Sequence, residues 1–379
     1  MRLPVQLGPA RPGRTIRRAG RRLRLARYWQ ADGDLDEAAA HAYRAMCLVQ
    51  VLAAPPMELA LDVAQVTARI ERDRDRPAAS LQALTWISQL LDTATPDPAT
   101  PDPGTDRLRI TVLVELGDCH RRAGRYPAAR AALQRAQHLI DAADPVDPGQ
   151  AAALATMQGI IAKELGEYHQ AATYYATVGR IHDQTGTTLA NAATLQHNLA
   201  GLDHIRGRYP QAESHARRAV QLRRQAPAST EVDIAMDLAV LAAALAGQHR
   251  HHEARELFEQ AMAACQRARP PRRYEIAVHL HNLATIDQAT GEPERAEQRY
   301  RQALALKAEL LGPDHPETAL VANNLATLLV EQHRPDEAAT HYRHALSIMQ
   351  HHYPPEHPTT ATIRGNLTRT DPPACAADG

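Results

Sequence analysis

Twenty histidines are spread over 379 residues, and His249, His251 and His252 lie close enough together to suggest metal chemistry. A metal site needs ligands converging from one face, as two histidines at i and i+4 of a helix do. This trio falls instead at a turn between two helical patterns, where polar side chains are common. The pairs His341/His344 and His351/His352 fall at or near the end of a helical pattern, where an imidazole can meet free carbonyls. Gly8-Pro9-Ala10-Arg11-Pro12-Gly13-Arg14-Thr15 imitates a phosphate-binding loop with Arg in the place of Lys. Such a loop needs a buried strand before it and a helix of a parallel sheet after it. Only seven residues precede Gly8, and the rest of the chain offers no sheet. Neither His-Glu-x-x-His nor Gly-x-Ser-x-Gly occurs. The chain therefore reads as a non-enzyme with no catalytic residue, no metal ligand and no cofactor.

The bulk properties narrow the class further. Acidic and basic residues balance at 43 each, so net charge points neither to nucleic acid nor to an acidic substrate. Cys47, Cys119, Cys265 and Cys375 show no Cys-x-x-Cys spacing, and three fall in helical patterns, which favours buried thiols over disulfides or zinc. No apolar run reaches the ~20 residues of a membrane span, and the first 30 residues lack a secretory apolar stretch. A cytoplasmic protein without membrane contact is expected. Residues 1–27 hold nine Arg and no acidic residue. The expectation is a basic arm over 1–14, with helix beginning near Thr15 along Ile16, Ala19, Leu23 and Ala26. That arm is either a solvated tail or a contact for an acidic partner, nucleic acid included.

What positions any functional side chain is a repeat. Asn282-Leu283-Ala284 returns as Asn324-Leu325-Ala326, and Ala296, Tyr300, Ala303 and Leu304 return as Ala338, Tyr342, Ala345 and Leu346, always 42 residues on. A fixed period of this length marks a repeat architecture. Gly-x-Tyr-x-x-Ala stands at Gly124, Gly166 and Gly207, with a variant at Gly291 and degenerate forms at Gly33, Arg74, His249 and His333. Gly can end a helix because it accepts positive φ, and the Ala five residues later lets two helices approach closely. The turns are spaced by 41, 50, 42, 41, 42, 42 and 42 residues. The long interval contains the Pro-Asp tract between Thr95 and Gly104, which predicts a loop insertion over 95–106. A solenoid is expected over 15–369, and residues 370–379 read as a disordered tail.

These residues resemble the tetratricopeptide repeat, specifically the 42-residue variety of the kinesin light chain. Ala200, Ala284 and Ala326 match its eighth position. Ala212, Ala254, Ala296 and Ala338 match the twentieth, and Ala219, Ala261, Ala303 and Ala345 the twenty-seventh. Asp314-His315-Pro316 and Glu356-His357-Pro358 look like the light-chain loop signature. The resemblance implies an all-α, right-handed superhelical solenoid of about eight helix-turn-helix repeats. Its first helices would line a concave groove for a peptide or protein segment.

In the light-chain type an Asn at the sixth position of the first helix faces the groove, where its amide can donate to and accept from a ligand backbone. The matching residues are Asn198, Asn282, Asn324 and Asn366, with His197, His204, His281, Gln288, Asn323 and Thr327 around the same face. Equally, such an Asn can tolerate an exposed slot or bond to the adjacent helix. Val240, flanked by Ala239 and Ala243, interrupts the row with an apolar patch, and Glu115 and Met157 occupy the slot in repeats three and four. The expected function is that of a signalling scaffold or sensor that binds a peptide or protein segment in the concave groove. The alternatives are a peptide-sensing regulator whose Arg-rich arm contacts nucleic acid, and the stand-alone sensor half of a signalling ATPase system.

Overall fold

A computed structural model describes residues 12–94, 103–227 and 229–370. Among these residues seventeen helices follow one another without a strand. They are α1 (Pro12–Asp32), α2 (Leu35–Gln50), α3 (Met57–Asp73), α4 (Pro77–Ala94), α5 (Pro103–Arg122), α6 (Tyr126–Asp141), α7 (Pro148–Glu164), α8 (Tyr168–Thr185) and α9 (Leu189–Ile205). The series continues with α10 (Tyr209–Gln225), α11 (Glu231–Gly247), α12 (His251–Arg267), α13 (Arg273–Ala289), α14 (Pro293–Leu311), α15 (Pro316–Glu331), α16 (Pro335–His352) and α17 (Pro358–Thr370). Each odd-numbered helix opens a repeat and the next even one closes it, with α17 standing alone.

Local chemistry explains where the helices start and stop. Asp34, Asp147 and Thr188 cap α2, α7 and α9 through their side-chain oxygens. Thr230 and Asp233 form a reciprocal capping box on α11. Proline opens several helices, where its missing N–H has no partner to lose. α1 starts at Pro12, three residues ahead of the expected Thr15, for the same reason; the rest of the arm, residues 1–11, lies outside the described residues. Of the expected loop, residues 95–102 also lie outside them, and α5 already begins at Pro103. In the expected tail, Thr370 ends α17 and residues 371–379 lie outside.

Between the paired helices stands one residue in the left-handed region. Glycine fills that slot at 33, 124, 166, 207 and 291, but His249 and His333 adopt it too, with φ of 61° and 60°. In the second repeat the left-handed residue is Asp75 (φ 56°), one position after Arg74. All eleven alanines matched to the eighth, twentieth and twenty-seventh positions are fully buried. A larger side chain there would force the helices apart. Cys119 and Cys265 are buried, whereas Cys47 is exposed, so the expectation of a buried thiol fails at that position.

The chain forms two compact units, divided after Cys119 within α5. In the first, Arg27 pairs with Asp62, Arg74 with Glu71 and Asp36, and Gln65 donates to Glu115 at 2.7 Å. Glu115 is thus consumed within its own unit, its carboxyl pushed above the usual range by burial.

The second unit holds repeats four to nine together with the close of repeat three. One core of the unit runs from Ala284 through Tyr300, Leu325, Tyr342 and Met349 to Ile363. The unit also closes on itself. His315 and His357 place Nε2 3.0 Å from the carbonyl oxygens of Arg122 and Glu164. Both spans are 193 residues, between four and five repeats. Pro316 and Pro358 lie against Gly124 and Gly166, where an added Cβ would meet the proline Cδ at 3.0 and 2.9 Å. His352 bridges the carbonyls of Gly124 and Asp314, and the hydroxyls of Tyr126 and Tyr353 meet at 2.8 Å. The Asp/Glu-His-Pro loops therefore join repeats one superhelical turn apart.

Candidate functional site

The first helices of the second unit touch one another in sequence, α7 to α9, α9 to α11, α11 to α13, α13 to α15 and α15 to α17. Their inner rows form one continuous wall, and the loop contacts seal one edge of it. This wall is the candidate site.

Much of the wall is a hydrogen-bonded network. The Asn324 amide donates to His281 Nε2 at 2.7 Å, and Asn324 Oδ1 accepts from Asn323 at 3.1 Å. Asn323 Oδ1 in turn accepts from Asn366, whose own Oδ1 accepts from Arg369. Burial, aided by the charge of Lys307, lowers the His281 pKa to about 3. The ring is neutral, as an acceptor for the Asn324 amide must be. Thr327 bonds to the Tyr342 hydroxyl, and Gln288 accepts from Tyr300 and donates to Glu331.

Three carboxylates of these repeats, buried or half-buried, are paired. Asp237, fully buried, lies 2.9 Å from both His197 Nδ1 and Arg223 Nε. Glu317 takes Lys307 at 2.8 Å and the Tyr274 hydroxyl. Burial works to raise its pKa, but the ammonium and the phenol hold the carboxyl at about 2. Asp287 is surrounded by Arg255, Arg295 and Arg299.

The expected groove residues thus divide. Asn323, Asn324, Asn366, His281, Gln288 and Thr327 meet one another or their neighbours, and His197 meets Asp237. For these, bonding to the adjacent helix is the geometry found, and the picture of a row of free amides gives way to a cross-linked wall. The side chain of Asn282 makes no hydrogen bond among the described residues. Asn198 is 5% exposed, and its Nδ2 has no acceptor. Val240 packs partly buried against the core of α11 and α12, together with Ala243. Among the described residues no group of three or more His, Cys, Asp or Glu could hold a metal, and no helix is long and apolar enough to cross a membrane.

Sequence reading missed the roles of Asp237, Glu317 and Tyr274. Each is a lone polar residue in a helical pattern, and only the tertiary neighbours distinguish it. It also missed Gly159 and Gly247, where an added Cβ would sit 2.4 Å from the ring of Tyr175 and 2.3 Å from that of Tyr209. A glycine inside an otherwise strong helical pattern was the available signal.

Residues 191–267, 232–309 and 275–351 each match a family model described as tetratricopeptide repeat. The segment between residues 191 and 351 is thus a run of tetratricopeptide repeats. No curated protein matches it. Among solved structures it is similar to a Rap protein complexed with Competence and Sporulation Factor, with TM-score 0.58 and 12% identity over 95% of this chain and 97% of that one. It is also similar to the apo quorum sensor NprR from B. thuringiensis, with TM-score 0.56 and 13% identity over 87% of each chain. NprR in complex with its cognate peptide NprX gives 0.57 and 12%, over 83% of this chain and 82% of that one. At these identities the likeness is one of fold.

Proposed function

We propose that the inner wall of the second unit binds an extended peptide or protein segment, and that the chain is a non-enzymatic scaffold or sensor. The observation that carries this reading is unspent hydrogen-bonding capacity in an otherwise saturated wall. Asn282 has no partner, and the Asn198 amide is shielded from water without an acceptor. A shielded donor left unmade costs about 1–3 kcal/mol, which a ligand carbonyl would recover. The pairing of the buried and half-buried carboxylates Asp237, Asp287 and Glu317 favours binding over chemistry. Two structures of like fold hold ligands, NprR its cognate peptide NprX and Rap the Competence and Sporulation Factor, and they lend the reading support.

The test is to select binders from an immobilised random-peptide library with the full chain, then titrate the best binder into wild type and Asn282→Ala. Affinity should fall about tenfold, the order expected for one lost hydrogen bond, with melting unchanged. Equal affinity would remove the wall as the site.

A second reading has its own observation. Arg14, Arg17, Arg21 and Arg24 recur every three or four residues on the exposed side of α1, with no ion pair among the described residues. The opposite side, Thr15, Ala19, Leu23 and Ala26, is buried. Such a stripe suits a phosphate backbone. Binding of a labelled DNA duplex that weakens steeply with salt, and is lost in Arg17→Glu/Arg21→Glu, would establish it. A flat salt response would dismiss it.

A further inference from the structure

Three turns of the chain, and no others, have the sequence Gly-x-Tyr: Gly124-Arg125-Tyr126, Gly166-Glu167-Tyr168 and Gly207-Arg208-Tyr209. All three glycines hold positive φ, between 68° and 80°. The first two turns are filled from within the second unit. A proline lies on each glycine, Pro316 on Gly124 and Pro358 on Gly166. The histidine before each proline donates Nε2–H across 3.0 Å to a carbonyl two residues ahead of the glycine, that of Arg122 or Glu164. Arg122 and Glu164 end the first helices of their repeats. The docked loop thus meets a seat of two parts, a bare glycine and a helix-end carbonyl.

The third turn presents the same seat empty. Gly207 is exposed where Gly124 is buried, and an added Cβ there would meet nothing within 4 Å. Ile205 ends α9, and among the described residues no hydrogen bond reaches its carbonyl. Its side chain is 45% exposed, an apolar surface beside that carbonyl. Conformation alone does not call for glycine here, because His249 and His333 hold the same left-handed geometry at the corresponding turns. Room for a ring on the turn does. Gly291 is open as well, but Glu-Pro follows it and the tyrosine is missing. At the first turn that tyrosine contributes: the Tyr126 hydroxyl meets that of Tyr353, whose ring lies 4.2 Å from His357. Arg206 donates to the Tyr168 carbonyl, so the third turn adjoins the second and continues the established seam.

We infer that the α9–α10 turn is a docking seat for a partner protein's loop, in which an acidic residue, a histidine and a proline lead into a helix. The partner's neutral imidazole donates to the Ile205 carbonyl, and its proline covers Gly207. Arg206 and Arg208 flank the glycine and complement the charge of the acidic residue. The sequence holds His-Pro only at His315-Pro316 and His357-Pro358, and both are already seated. The occupant is therefore another protein, not a second copy of this chain. The inter-repeat loop of a protein with repeats of this type has the required order.

The probe is the peptide Pro-Pro-Glu-His-Pro-Thr-Thr-Ala-Thr, the sequence of residues 354–362, with a biotin and a benzophenone at its N-terminus. Irradiated at millimolar concentration with the full chain, it should label the α9–α10 turn, as mapped by mass spectrometry. Alanine in place of the peptide's histidine or proline should cut that labelling about fivefold or more, the order of one lost hydrogen bond or contact. Gly207→Asn should cut it as far with little change in melting. Asparagine accepts positive φ, but its Cβ would collide with a seated proline, as one at Gly124 or Gly166 would. Labelling confined to the α5–α6 or α7–α8 turn would mean exchange with the chain's own loops and would overturn the third seat. Labelling no stronger than that of a scrambled peptide would also overturn it, as would labelling indifferent to Gly207→Asn and to both alanine peptides.

Discussion

His315 meets the carbonyl of Arg122 across 193 residues of chain, with Nε2 3.0 Å from the oxygen. Its Nδ1 accepts from the Glu317 amide of its own helix, so Nε2 must carry the proton and donate. His357 repeats the arrangement 42 residues later, accepting from the Thr359 amide and donating to Glu164. One residue type at one register thus caps a helix and ties together repeats that are distant in the chain.

Removing the tie should loosen the second unit without unfolding its repeats. For His315→Ala/His357→Ala, each lost bond should cost about 1 kcal/mol. Amide exchange should rise selectively around residues 120–126 and 352–359. Unchanged protection there would show that the loop contacts do not hold the unit closed.

Acid should destabilise the protein well before its carboxylates titrate. Burial lowers His279 to about 4 and His281 to about 3, and it depresses His315 and His357 as well. With folded values below the unfolded ~6.5, the unfolded chain binds more protons between the two. Stability is full above ~6.5 and is lost as pH falls through 4 towards 3. His279, 1% exposed, should account for about 3 kcal/mol of this. Chemical denaturation from pH 7.5 to 4 checks the slope, and His279→Gln should flatten it.

Gly159→Ala should destabilise, although alanine is the better helix former by about 1 kcal/mol. The new methyl would fall 2.4 Å from the ring of Tyr175, which is itself 1% exposed and unable to yield. A net loss of about 1–3 kcal/mol in thermal unfolding is expected. A gain in melting temperature would mean that the ring moves freely.

Exposed histidines in the left-handed slot should respond in the opposite direction. Holding a side chain in that region costs about 1–2 kcal/mol, partly offset by the extra freedom glycine brings to the unfolded chain. His249→Gly and His333→Gly should each stabilise by about 0.5–1 kcal/mol. No rise in melting temperature for either would show that the imidazoles make compensating contacts.

The helix pairs, the left-handed slot between them and the small residues at their crossings were legible at 42-residue spacing. All three depend on contacts within a repeat or with the next one. The Asn row was legible as a row, but its roles were not. Asn282 and Asn324 share one register, yet Asn324 meets His281 from the preceding repeat while Asn282 meets nothing. The residue 43 positions earlier decides the difference.

The sequence alone determined that the chain stacks helix pairs, because a pattern repeated at constant period imposes the same neighbour contacts each time. Only the tertiary structure decided that His315 reaches Arg122 and which asparagines have no side-chain partner among the described residues. Those outcomes depend on the small rotation between successive repeats. That rotation is set by the packing of many side chains, and summed over four to five repeats it brings distant residues to bonding distance.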